Sequence, residues 1–250
     1  MANAQTAIHF ETLEYKDEGV TCVGTLVHDV AAPGRLPGVL VAPSFMGADN
    51  MARRKAMQIA RLGYTVLVMD PYGDGRVAND RAEARTLMNG LLADRAVLRR
   101  RAQAALKALR YHRRADGSHL AALGYCFGGL VALELARAGA EVRGVVSFHG
   151  ILDAGGAPPP KEIGPRVLVL HGAEDPHVPE AQCEAFRAEM RAARADWQMV
   201  YYGGAVHAFT NPDAGSDPKT GLAYDETADQ RSWKLMTSFL EECFADSYGV

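Results

Sequence analysis

The stretch Leu123–Gly139, LGYCFGGLVALELARAG, sets a thiol between two glycines where an apolar run gives way to a helical pattern. Gly124 stands two residues before Cys126 and Gly128 two residues after it. A buried packing cysteine has no use for such neighbours. A nucleophile on a sharp strand-to-helix turn does, because the backbone closes on itself there and both flanking side chains must be small. The turn also sets the thiol at a helix N-terminus, where the peptide dipoles favour a thiolate.

Outward from that turn, strands and helices alternate. IHFETLEYK and VTCVGTLVHD read as an antiparallel pair joined at DEG. PGVLVAPSFMG, YTVLVMDPYGDG, SHLAALGYC, EVRGVVSFHG, PRVLVLHGAED and DWQMVYYGG read as buried strands running into loops. Between them, NMARRKAMQIARLGY predicts a helix ending at Gly63, and one long helical region covers about Asn79 to His112. The FGGLVALELARAG helix ends at Gly139; PEAQCEAFRAEMRAA and DETADQRSWKLMTSFLEECF predict two more. AGGAPPPKEIG, with the prolines Pro158 to Pro160, reads as an excursion loop. Near-continuous apolar strands alternating with helices imply a mostly parallel central sheet covered by helices on both faces, with an antiparallel N-terminal strand pair. The reading is a single α/β domain over residues 1–250.

Composition narrows the classes. The chain has 250 residues, 48% hydrophobic and 23% charged, which suits a globular fold needing no metal or disulfide staple. A formal net charge of -3 gives no general attraction to nucleic acid. The basic run RAVLRRRAQAALKALRYHRR carries Ala and Leu at helical spacing and reads as a solvated helix face. The start, MANAQTAIHFETLEYKDE, lacks the basic and apolar regions of a signal peptide, and no run is apolar enough for a membrane span. Cys22, Cys126, Cys183 and Cys243 are far apart and form no C-x-x-C pair. That argues against a zinc site or disulfide framework and for a reducing, cytoplasmic setting.

In open α/β sheets, ligands bind beyond the carboxyl ends of the strands. The loops there carry Cys126, then Asp175 in AEDPHVP, then His207 in GGAVHAFTNP, and APSFMG after the first parallel strand. Nucleophile, acid and histidine in that chain order are the α/β-hydrolase arrangement. Asp175 would hold one ring nitrogen of His207, His207 would serve the thiol, and the backbone N–H groups of Phe127 and Phe45 would stabilise an oxyanion. His149, His171 and His177 also lie near strand ends. His171 reads as packing or as a donor behind the site, and His177 as a loop residue.

GYCFGG, VLHGAEDPHVP, YYGGAVHAFTNP, MDPYGDGR and RSWKLMTSFL together resemble the dienelactone hydrolase family, in order, from about Val39 to the C-terminus. The resemblance implies a hydrolase of small esters or lactones with no metal or organic cofactor. It assigns Cys126 as nucleophile, Asp175 as acid and His207 as base. In the family a glutamate stands where this chain has Ser44. Arginines that hold a substrate carboxylate would fall near Asn211 and near Tyr72, where Gly73 and Asp74 follow and Arg76 is displaced. The expected partner is therefore a small-molecule ester or lactone, not specifically the carboxylated dienelactone. Ser44, Tyr72, Phe209 and Asn211 are expected to line its pocket. The rival expectation is a non-catalytic thiol protein, redox-sensing or binding, on the same fold. A serine hydrolase using Ser44 ranks low, because no elbow surrounds that residue.

Overall fold

The computed structural model describes residues 7–245 apart from Ala157 and Pro159. The first six residues, read for a leader, and Pro159 in the proline run lie outside the described residues. The chain divides into two compact units, Met1–Leu120 and Ala121–Val250.

In the first unit, β1 (Ile8–Asp17) and β2 (Val20–Asp29) pair antiparallel, with Asp17 opposite Val20 across a two-residue turn. Antiparallel pairing continues from β2 to β4 (Thr65–Val68), which pairs parallel with β3 (Leu36–Ala42). Every residue of β4 is buried. Successive side chains of a strand point to opposite faces, so both faces of this strand are covered.

The helices are α1 (Asn50–Ala60), α2 (Arg81–Ala93) and α3 (Arg95–Arg110). The expected single helix over about 79–112 is thus two. Asp94 leaves the helical region (φ -128°, ψ 83°), and its carboxylate accepts the Ala96 and Val97 N–H groups at 3.1 and 3.2 Å. A short acidic side chain satisfies the orphan donors of a new first turn better than it continues the old helix. Helix α1 ends before Gly63, at the cap Arg61; Gly63 follows with φ 98° and donates back to the Ala60 carbonyl. The basic run is not wholly solvated. Arg101 is buried and donates to Asp17 and to the Pro71 carbonyl.

Strand β5 (Ala115–Tyr125) carries the chain into the second unit, where β6 (Gly144–Phe148), β7 (Arg166–Gly172) and β8 (Trp197–Tyr202) follow. All pair parallel in the order β5-β6-β7-β8. The helices are α4 (Phe127–Arg137), α5 (Glu180–Ala192) and α6 (Glu226–Phe244). Two residues of β6 show how both faces are covered. A Cβ on Gly144 would run into Cys243 and Phe239 of α6, while Ser147, on the opposite face, lies against Gly129 of α4. Helix α4 is buried throughout, and its Arg137 forms an ion cluster with Glu134 (3.0 Å) and with Glu189 of α5 (2.7 Å). Among the described residues no helix is long and apolar enough to cross a membrane.

Candidate active site

Cys126 follows β5 directly and occupies the N-cap position of α4. Its backbone sits at φ 56° and ψ -118°, a region that a residue with a side chain rarely adopts. The Cys126 N–H donates to the Phe148 carbonyl at 3.0 Å, and the Gly129 N–H donates to the Cys126 carbonyl at 2.9 Å. The glycine requirement is sharpest at Gly124, where a Cβ would overlap the Gly128 carbonyl. The thiol is only part-buried, whereas Cys22, Cys183 and Cys243 are buried. The Cys126 side chain makes no capping hydrogen bond to α4, and the helix dipole acts on the thiol beside its first turn.

Asp175 lies in the loop after β7, and His207 in the loop after β8. His207 Nδ1 and Asp175 Oδ2 are 2.8 Å apart, with the Asp175 side chain fully buried. The other carboxylate oxygen accepts the His177 N–H at 2.8 Å, which fixes the plane of the carboxylate. Burial opposes ionisation of Asp175, but the hydrogen bond and charge of His207 outweigh it and hold the carboxyl below its ordinary range. For His207, burial would lower the imidazolium. The charge of Cys126 and hydrogen bonds to Asp175 and Cys126 prevail and raise it to about 10. Cys126, Asp175 and His207 are thus brought together around the His207 ring.

The remaining predicted residues divide by unit. In the first, Ser44 Oγ accepts the Met46 N–H at 3.3 Å, and the Tyr72 hydroxyl donates to the Phe45 carbonyl at 2.6 Å. Arg76, considered as a displaced substrate arginine, is paired on the surface with Glu83 at 2.7 Å. In the second, Phe127 opens α4, and its ring is fully buried. Phe209 is fully buried against Tyr202 and His149, with ring centroids at 5.3 and 5.1 Å. The Asn211 side chain accepts the Asp213 N–H at 3.0 Å and caps a short 3₁₀ turn. His171 is buried, 3.6 Å from the Cys183 sulfur, and burial pushes its imidazolium down.

Sequence reasoning passed over two features. The Asp70 carboxylate, buried after β4, accepts the N–H groups of Val23, Tyr72, Gly73 and Gly75 at 2.8–3.0 Å, and so shapes the loop that carries Tyr72. The only trace of it in the sequence is an acid between an apolar strand and a PYGDG turn. The second is the setting of His207, whose ring lies 5.1 Å by centroid from both His149 and His177. Nothing in the spacing of these histidines along the chain signals that approach.

Known proteins resemble the chain across this whole frame. The model of the dienelactone hydrolase family matches residues 23–244. A dienelactone hydrolase-like promiscuous phosphotriesterase from metagenomic libraries is 43% identical, with a TM-score of 0.89, covering 96% of this chain and 100% of that one. An uncharacterised protein of Caenorhabditis elegans is 39% identical over 150 residues, 59% of this chain and 95% of its own. A protein of Bradyrhizobium sp, named as a probable 2-oxo-3-(5-oxofuran-2-ylidene)propanoate lactonase, is 30% identical over 188 residues, 70% of this chain and 74% of its own. These matches favour a hydrolase over a non-catalytic thiol protein. With its α/β-hydrolase fold, the chain belongs to the dienelactone hydrolase family and is a hydrolase of the ester and lactone kind.

Proposed function

We propose that this protein hydrolyses small carboxylic esters or lactones through Cys126, His207 and Asp175, by way of an acyl-thioester. The observation that carries the reading is the coupled group itself: a part-exposed thiol on a strained elbow, partnered by a buried histidine that is held by a buried carboxylate at 2.8 Å. The Cys126 thiolate attacks the substrate carbonyl carbon, and the carbonyl π pair moves onto oxygen. The Phe127 backbone N–H, at the start of α4, is suited to receive that oxyanion; one such donor is typically worth about 3 kcal/mol. As the tetrahedral centre collapses, the bond to the leaving oxygen breaks and the His207 imidazolium protonates it. Neutral His207 then takes a proton from water, the hydroxide attacks the thioester, and the Cys126 thiolate leaves. Asp175 keeps the proton on Nδ1 throughout.

The test is turnover of p-nitrophenyl acetate. Cys126→Ala should abolish it with the fold retained, and His207→Ala should stall after acylation, leaving an acyl adduct visible by mass spectrometry. Retention of more than a small fraction of turnover by Cys126→Ala would remove the thiol as nucleophile.

The 43% identity to a promiscuous phosphotriesterase favours a second substrate class, the neutral phosphate triesters. The same thiolate would displace an aryloxide from phosphorus and form a phosphoryl-thiol. A p-nitrophenyl dialkyl phosphate tests this: sustained nitrophenolate release supports the second class. A single stoichiometric burst means that the phosphoryl-thiol forms but is not hydrolysed.

A further inference from the structure

His149 stands directly after β6 at φ 39°, a left-handed conformation unfavourable for a histidine, and is 1% exposed. Its N–H donates to the Leu170 carbonyl at 2.8 Å, and its Nε2 lies 2.9 Å from Thr210 Oγ1. Thr210 is fully buried and lies three residues beyond His207 on the same loop. The His149 and His207 rings meet in a T-shaped contact, at 5.1 Å between centroids and 63° between planes.

The loop of His207 is also fastened by backbone hydrogen bonds. The Ala223 N–H donates to the His207 carbonyl and the Asp225 N–H to that of Phe209, at 3.2 and 3.1 Å. Asp175 and Cys126 both hydrogen-bond the ring, and these bonds leave its tilt to be limited by neighbouring rings. The rings of His149 and of exposed His177, each at 5.1 Å between centroids, pack against it and limit that tilt. A phenylalanine at position 149 would supply a similar contact. Only a residue with a polar atom at Nε2 can tie the end of β6 to the loop that carries His207. A backbone held in a sparsely populated region where both ring nitrogen and N–H are engaged is the pattern of an over-determined functional position.

We propose that His149 and Thr210 form a positioning pair that aims the His207 imidazole at Cys126. The proposal rests on the thiol–histidine reading given above. Each member acts through His207 and neither touches substrate, so loss of the pair lowers kcat and leaves KM little changed.

Thr210→Val keeps the volume and removes the hydroxyl. It should lower kcat for p-nitrophenyl acetate by about 10-fold or more, since misplacement of a catalytic group by an ångström is felt on the order of 10²-fold. It should also raise the pH at which the rate of Cys126 alkylation by iodoacetamide inflects, because a mis-aimed imidazolium supports the thiolate less well. Thr210→Ser should restore both. His149→Gln, which places an amide near the position of Nε2, should retain more activity than His149→Phe. The double variant His149→Phe/Thr210→Val should be no worse than the poorer single variant, since both remove one interaction.

A Thr210→Val protein with a lowered melting temperature but unchanged kcat and inflection would overturn the proposal, and so would strict additivity in the double variant. Should Thr210→Val fail to fold by circular dichroism, equal activity of His149→Gln and His149→Phe would overturn it instead. Turnover retained by Cys126→Ala would remove the underlying reading, whatever the Thr210 variants do.

Discussion

At the scale of single residues, the proposed chemistry turns on how one carboxylate and one thiol set the charge of His207. The Nδ1–Oδ2 contact of 2.8 Å fixes the tautomer, so Asp175→Asn should leave the ring in place but favour the wrong one. Turnover should fall on the order of 10³- to 10⁴-fold, as the same change does in the serine-protease triad; steady-state kinetics on an ester checks it. The His207 imidazolium, raised to about 10, and the part-exposed sulfur beside it predict a resting thiolate. The rate of Cys126 alkylation should inflect well below the unperturbed thiol value of about 8.5. An inflection at or above that value would mean a neutral resting thiol. The same coupling makes a stability prediction. A folded-state value above the ordinary 6.5 means that the His207 contribution is full below that pH and is lost as pH rises through about 10. The gap in melting temperature between wild type and His207→Gln should therefore narrow as pH is raised across that window. Asp175, held low, works in the opposite sense, and its contribution is lost only as pH falls through its depressed folded value.

At the scale of elements, the strand–elbow–helix unit depends on glycine for a reason that spacing alone conveys only in outline. Gly124 and Gly128 read as small neighbours of a tight turn. In the structure the requirement at Gly124 is absolute, because its Cβ would fall on the backbone carbonyl of Gly128, which has no rotamer with which to yield. Gly124→Ala should lower stability by several kcal/mol or prevent folding, on the scale of strongly overpacked buried sites; urea unfolding of any soluble material measures it. Strands and helices were legible from apolar periodicity, since buried strands and one-sided helices leave that trace. The break at Asp94 was not, because an aspartate inside an amphipathic pattern looks the same whether it faces solvent or caps the next helix. Its two backbone bonds decide the matter.

At the scale of the whole molecule, each unit buries polar groups that no sequence pattern announced. In the second, Arg137 carries an ion cluster with Glu134, whose side chain is 0% exposed, and with Glu189; its guanidinium also donates to the Leu152 carbonyl at 2.8 Å. Arg137→Met should cost about 3–5 kcal/mol, because it removes the guanidinium that is paired with the buried Glu134 carboxylate. Chemical denaturation reads this directly, and a loss below about 1 kcal/mol would mean that water reaches Glu134. In the first unit, Asp70 gathers four N–H groups in the same way.

The sequence by itself determined the alternation of strands and helices, the antiparallel N-terminal pair and the family, along with the elbow at Cys126 and the candidates Asp175 and His207. All of these rest on local signals, namely periodicity, turn glycines and the order of residues at strand ends. Only the tertiary structure decided that Asp175 and His207 meet at 2.8 Å, that His149 and Thr210 stand behind His207, and that Arg137 lies buried among carboxylates. The contacts His207–Asp175, His149–Thr210 and Arg137–Glu189 join residues 32, 61 and 52 positions apart. Their geometry is set by how strand ends and loops pack in space, and one-dimensional spacing carries no record of that.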